Sequence, residues 1–130
     1  MRMGQNDSAA ILVVDDVEEI RDGLQSLLES DGYRVDAARC EEYAIECAIR
    51  KPQELILVNL AGSPEEVIAA ARRISRNASL QDRVPMVLFC VEGIEGAEVH
   101  LGGNLYTTRP NNFNDLRQLL QRLLCLSRKH

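Results

Sequence analysis

Three stretches of the chain are dominated by aliphatic residues and closed by polar or turn-forming ones: residues 9–14, 55–60 and 84–91. Runs of that length read as strands buried on both faces, as at the centre of a parallel sheet. The central run, Leu55-Ile56-Leu57-Val58-Asn59-Leu60, is preceded by Pro52 and closed by Gly62-Ser63-Pro64. Its one polar residue, Asn59, stands at the carboxyl end. In open α/β sheets that edge is where ligands and chemistry collect. The first run ends in Asp15-Asp16. Adjacent carboxylates at a strand end repel one another. They serve either to cap and charge a helix start or to hold a cation.

Helical spacing fills the intervals. Residues 18–30 place Ile20, Leu24, Leu27 and Leu28 on one face, with Gly32 as a stop. Residues 33–38 form a short strand. Residues 41–50 turn Ala44, Ile45, Ala48 and Ile49 toward a core. Ser63-Pro64-Glu65-Glu66 predicts a capping box with proline at the first helical position. Val67, Ala70, Ala71 and Ile74 then share a face. Pro85 is admitted at the start of its strand. Residues 105–108 make a fifth strand, stopped by Arg109-Pro110. Asn112 caps a last helix whose stripe is Phe113, Leu116, Leu119, Leu120, Leu123 and Leu124.

Residues 92–103 are the weak interval. Gly93, Gly96, Gly102 and Gly103 fall within it, and each interior glycine costs a helix ~1 kcal/mol. Any helix there is expected to be short or irregular. The strand–helix alternation, five times over, predicts parallel pairing with helices on both faces of the sheet.

The 130 residues suit one domain, with a core over about residues 10–126, a flexible tail at 1–8 and a basic tail at 127–130. No apolar run approaches the ~20 residues of a membrane helix, and residues 1–10 lack a signal-peptide core, so a cytoplasmic protein is expected. The net charge of −5 gives no support for nucleic-acid binding. It is unevenly spread, −9 over residues 1–66 and +4 over residues 67–130. Cys40, Cys47, Cys90 and Cys125 form no C-x-x-C pair, and with two histidines they complete no zinc pattern. They read as reduced thiols used as small core residues.

In Ile11-Leu12-Val13-Val14-Asp15-Asp16, in residues 54–60, in Pro85-Met86-Val87-Leu88-Phe89-Cys90, and in Gly102 followed by Tyr106-Thr107-Thr108-Arg109-Pro110, the chain resembles the receiver domains of bacterial two-component response regulators. The resemblance covers about residues 10–126. It implies a three-layer α/β/α flavodoxin-like (CheY-like) sandwich with a five-stranded parallel sheet in the order 2-1-3-4-5. In that family an acidic pair binds Mg²⁺, an aspartate accepts a phosphoryl group from a histidine kinase, and a hydroxyl and a lysine contact that group. The acidic pair matches Asp15 and Asp16. The acceptor matches Asn59, the hydroxyl Cys90 and the lysine Arg109, so three of the five positions are changed.

The substitutions have physical consequences. A neutral amide cannot form an acyl phosphate. Asn59 also removes a charge from the Mg²⁺ ligand set Asp15, Asp16 and Asn59, so no cofactor is expected beyond weak Mg²⁺. Cys90 has only a weak S–H donor. Arg109 keeps its charge on a wider planar fork, suited to pairing with Asp15 or Asp16. An engineered Asn59 would explain one change and not the other two. The expectation is a non-enzymatic pseudo-receiver that acts as a phosphorylation-independent interaction module. The alternative is a phosphorelay receiver with Asp15 or Asp16 as acceptor. Expected partners are a histidine kinase, an output domain or another signalling protein. A homodimer through the face of helix 4, strand 5 and helix 5 is also expected. Tyr106 matches the aromatic residue of that face. A nucleotide or flavin site has little support, because no glycine-rich loop follows the first strand.

Overall fold

The computed structural model describes residues 9–80, 84–89 and 98–128. β1 (Ala10–Asp15) is buried along its whole length. It lies between β2 (Arg34–Ala38) and β3 (Leu55–Asn59), parallel to both. β4 (Met86–Phe89) continues the sheet beside β3, again in parallel. The period of two along a strand sorts the side chains onto two faces. Ile11, Val13, Leu55, Leu57 and Val87 join one core cluster. Leu12, Val14, Ile56, Val58, Met86 and Leu88 join the other. Continuous apolar runs are therefore what these strands need, since neither face meets water.

Helices cover both faces, giving three layers. α1 (Glu18–Ser30) and α4 (Phe113–Arg128) close the first through Leu24, Leu28, Leu116 and Leu120. α2 (Glu41–Arg50) and α3 (Pro64–Asn77) close the second through Ala44, Cys47, Val67, Ala71 and Ile74. The predicted stops and starts are realised. Gly32, at φ 97°, ends α1 in a Schellman motif, with Gly32 N–H donating to Glu29 O and Tyr33 N–H to Leu28 O. Ser63 Oγ accepts from Glu66 N–H at 3.2 Å, and Glu66 Oε1 accepts from Ser63 N–H at 2.8 Å. Asn112 Oδ1 accepts from Asp115 N–H at 2.9 Å.

The sheet departs from the expected five parallel strands. It has six, in the order β2-β1-β3-β4-β6-β5. The predicted fifth strand is β6 (Leu105–Thr108), parallel to β4. Outside it lies β5 (Glu98–Gly102), antiparallel to β6, where the end of a fourth of five helices was expected. Among the described residues there are four helices; residues 90–97, with half of that interval, lie outside them. The physical reason is the turn. Gly102 and Gly103 adopt φ 101° and 55°, which a side chain at Cβ disfavours. A two-residue Gly103-Asn104 connection then folds the chain back on itself. Asn104 fixes that turn, donating from Nδ2 to Val84 O and accepting from Met86 N–H, each at 2.8 Å.

Three side chains predicted to face the core do not. Ile20, Leu27 and Ile49 are exposed. α2 is only ten residues long and packs on its small residues Ala44 and Cys47, which leaves Ile49 beyond the contact. The cysteines also divide. Cys47 is buried, Cys40 half-buried and Cys125 exposed, so only part of the set serves as core. Burial pushes the Cys47 thiol up, and the Asp36 carboxylate adds to this. Among the described residues, no helix is long and apolar enough to cross a membrane.

Candidate functional site

The parallel strands end at one edge, and the register places Asp15 beside Asn59 there. Asp15 is fully buried. Its Oδ1 accepts from the Val17 N–H at 2.8 Å, and its Oδ2 accepts from the Asn59 amide at 2.9 Å. Asn59 thus turns its NH₂ toward Asp15, whose side-chain oxygen accepts. The Arg21 guanidinium donates to the Asp15 carbonyl at 2.9 Å and pins the end of β1 to α1.

Asp16 faces outward and is exposed. Its Oδ2 accepts from the Ala61 N–H at 3.2 Å, tying the β1–α1 connection to the β3–α3 connection. The acidic pair was read as helix capping or as a cation site. The capping alternative is not realised. The N-cap of α1 is Val17, without a side-chain cap bond, and Asp15 binds the N–H of Val17 itself.

The remaining predicted positions spread along the same edge. Thr108 ends β6 buried, and Arg109 follows it half-buried. Cys90 lies outside the described residues. Tyr106 is half-buried against the core cluster of α1 and α4. Its ring stacks on His100 of β5, with centroids 4.4 Å apart and planes 11° from parallel. His100 also donates from Nε2 to Gly103 O at 2.8 Å. Sequence reading passed over His100 as part of a loose segment. The available signal was the pair of short runs flanking Gly103-Asn104, the pattern of a hairpin.

The donor set can be tested against Mg²⁺. Magnesium requires octahedral oxygen ligands. Both Asp15 oxygens already accept from N–H groups, and Asn59 presents nitrogen to the space between them. Among the described residues no three His, Cys, Asp or Glu side chains cluster to hold a metal. The predicted set Asp15, Asp16 and Asn59 therefore does not fit a tight Mg²⁺ site as arranged.

A cleft of about 370 Å³ opens beside these residues. It runs between the starts of α1 and α3, over the ends of β3, β4 and β6, and Asp16 and Asn59 lie on its lining.

No family model matches the sequence, and no curated protein matches it. Solved structures do. The chain is similar to the CheY-like receiver domain of a response regulator from Methanospirillum hungatei, at 21% identity over 93% of this chain and 97% of that one, with a TM-score of 0.71. It is similar to the receiver domain of a sensor histidine kinase from Pseudomonas aeruginosa, which has magnesium coordinated in its active-site cleft. There the identity is 26% over 90% and 98% of the two chains, with a TM-score of 0.66. A third match lies in the complex of the histidine kinase ThkA with the response regulator TrrA of Thermotoga maritima, at 21% identity over 89% and 98%, with a TM-score of 0.70. The fold is thus the receiver fold, with an added antiparallel edge strand in this chain.

Proposed function

We propose that the chain is a receiver domain of two-component signalling whose acceptor position no longer takes a phosphoryl group, and that it works as a constitutive protein-interaction module. The observation that carries this reading is the hydrogen bond from Asn59 to Asp15. Where the fold's acceptor carboxylate would stand, the side chain is an amide that cannot attack phosphorus. It also donates to Oδ2 of the buried Asp15, whose other oxygen takes the Val17 N–H. Mg²⁺, present in the Pseudomonas neighbour, would bind at most weakly here, through Asp16, because Asn59 keeps its amide on Asp15. The site carries no reaction of its own.

The ThkA–TrrA complex supports a protein partner, a histidine kinase or another signalling protein. A cytoplasmic site of action and a homodimer through the β6 and α4 side belong to the same reading. The stacking of Tyr106 on His100 favours a fixed output face. A second reading keeps phosphotransfer on an aspartate. Burial and two hydrogen bonds remove Asp15 from it, and exposure leaves Asp16.

The test is incubation with acetyl phosphate and Mg²⁺ followed by mass spectrometry. The expected result is an unmodified chain. An acid-labile phosphoryl adduct on Asp16, or elsewhere in the site, would replace this reading with the second one.

A further inference from the structure

The cleft at the carboxyl edge has apolar walls and a polar end of one sign. Val17 and Ile20 form one wall, Leu60 and Ile68 the other, and Leu88 and Phe89 lie at its base. Val17 and Ile20 are 45% and 46% exposed, although both are large and apolar. Ile20 continues the line of Leu24 and Leu28 along α1, at intervals of four residues. The two leucines are buried in the core, while Ile20 passes beyond the sheet edge and meets the cleft instead. The volume falls in the ~300–1,000 Å³ range of small-molecule sites. The cleft also lies at the β1/β3 switch point, where open sheets of this order bind ligands.

The polar end selects the ligand's charge. Asp16 is the one ionisable side chain among the described lining residues, and none of them is basic. Its Oδ2 takes the Ala61 N–H, and its Oδ1 has no hydrogen-bond partner among the described residues. Asn59 turns its nitrogen to Asp15, so its Oδ1 lies on the other side of the amide, again without a described partner. Glu18 and Glu19 add negative charge in the first turn of α1. Two acceptor oxygens without a partner among the described residues thus belong to residues lining an otherwise apolar cleft, and Glu18 and Glu19 lie in the adjoining turn of α1. They complement an ammonium group and repel an anion.

We infer that this cleft binds a small organic cation with an apolar body, its ammonium held by Asp16 Oδ1 and Asn59 Oδ1 and its body between Ile20 and Ile68. The inference rests on the reading of Asn59 as a fixed donor to Asp15, and it gives the altered acceptor site a ligand in place of a phosphoryl group.

Three probes with one tail and different heads test it: hexylamine, hexanol and hexanoate, each titrated into the full chain and followed by ¹H–¹⁵N NMR. Hexylamine is expected to give saturable shifts at the Val17, Ile20 and Ala61 amides and at the Asn59 side-chain amide. Its affinity should exceed that of hexanol by about tenfold, as a charge-assisted hydrogen bond provides. Hexanoate should give no shifts there. Asp16→Asn should bring hexylamine down to the level of hexanol. Ile20→Trp, at a half-exposed position, should fill the cleft and abolish all binding. Ile68→Trp repeats that test from the opposite wall should the first variant fold poorly. Shifts of equal size with hexanoate, equal affinity for hexanol and hexylamine, or hexylamine shifts confined to other surfaces would overturn the inference. Phosphorylation by acetyl phosphate is read separately. Loss of the pseudo-receiver reading and absence of amine binding are therefore distinct results.

Discussion

The two edges of the sheet are built on different principles. β2, at one edge, is bordered by charge. Asp36 accepts from Lys51 Nζ at 3.2 Å and from Gln53 Nε2 at 3.0 Å, and Arg34 stands exposed on the same strand. Burial raises the Asp36 carboxyl, but the bonds from Gln53 and Lys51 outweigh it and hold the group below its ordinary value. Charged edges of this kind discourage pairing with another strand. β5, at the other edge, exposes Val99 and Leu101 and carries the His100–Tyr106 stack. The β2 side follows the strand–helix rhythm of the fold, and the β5 side breaks it with a hairpin. Buried, regular structure and exposed, irregular structure thus share one sheet. The Asp15–Asn59 pair lies between them, nearer the regular half.

The largest expected contrast is in stability. Leu57 is fully buried in β3, and Leu57→Ala should cost about 2–5 kcal/mol, read by urea unfolding. Val99→Ala, on the exposed edge, should change stability by no more than about 0.5 kcal/mol. Equal losses would mean that β5 belongs to the cooperative core.

At the site itself, Asn59→Leu leaves the buried Asp15 carboxylate one donor short, a loss of about 1–3 kcal/mol. Asn59→Asp instead sets two carboxylates side by side. It should lower the melting temperature without metal and recover it when Mg²⁺ is added, whereas Mg²⁺ should leave the unsubstituted chain almost unchanged. A variant insensitive to Mg²⁺ would show that the geometry around Asp16 excludes the ion for another reason.

A smaller effect should follow at the start of α3, where Ser63→Ala removes the bond to the Glu66 N–H and should cost about 1 kcal/mol. The smallest concerns acid. The Arg73 guanidinium, bonded to Glu41 at 2.6 and 2.8 Å, holds the Glu41 carboxyl below its ordinary value. A lowered folded value means the contribution is present above the ordinary glutamate range. It is lost as pH falls through that range to the folded value. Glu41→Gln should flatten the fall in stability over that window, measured by thermal unfolding at stepped pH.

The regular half was legible because its signals are local and mutually consistent. The aliphatic runs of β1 and β3, the Ser63 capping box and the Asn112 cap each name their own structure. The pairing of Asp15 with Asn59 was legible only as adjacency at one sheet edge. Which amide atom faces the carboxylate follows from three-dimensional register. Ile20 was misjudged because helical periodicity reports a face and cannot tell how far along the helix the sheet extends. The hairpin was missed because glycine count was weighed as helix weakness, while the alternation around Val99 and His100 and the Gly103-Asn104 turn went unweighed. The strand order past β4 depends on that turn.

The central claim is that residue 59 is a hydrogen-bond donor fixed on Asp15, leaving nothing for a phosphoryl group to switch. It is tested most directly by ¹H–¹⁵N NMR of the unsubstituted chain during titration with Mg²⁺ and the phosphoryl analogue beryllofluoride. The account predicts that the Asn59 side-chain amide protons, the Val17 N–H and the Tyr106 N–H keep their positions throughout. Saturable shifts at Asn59 and Val17, propagating to Tyr106 on β6, would contradict it.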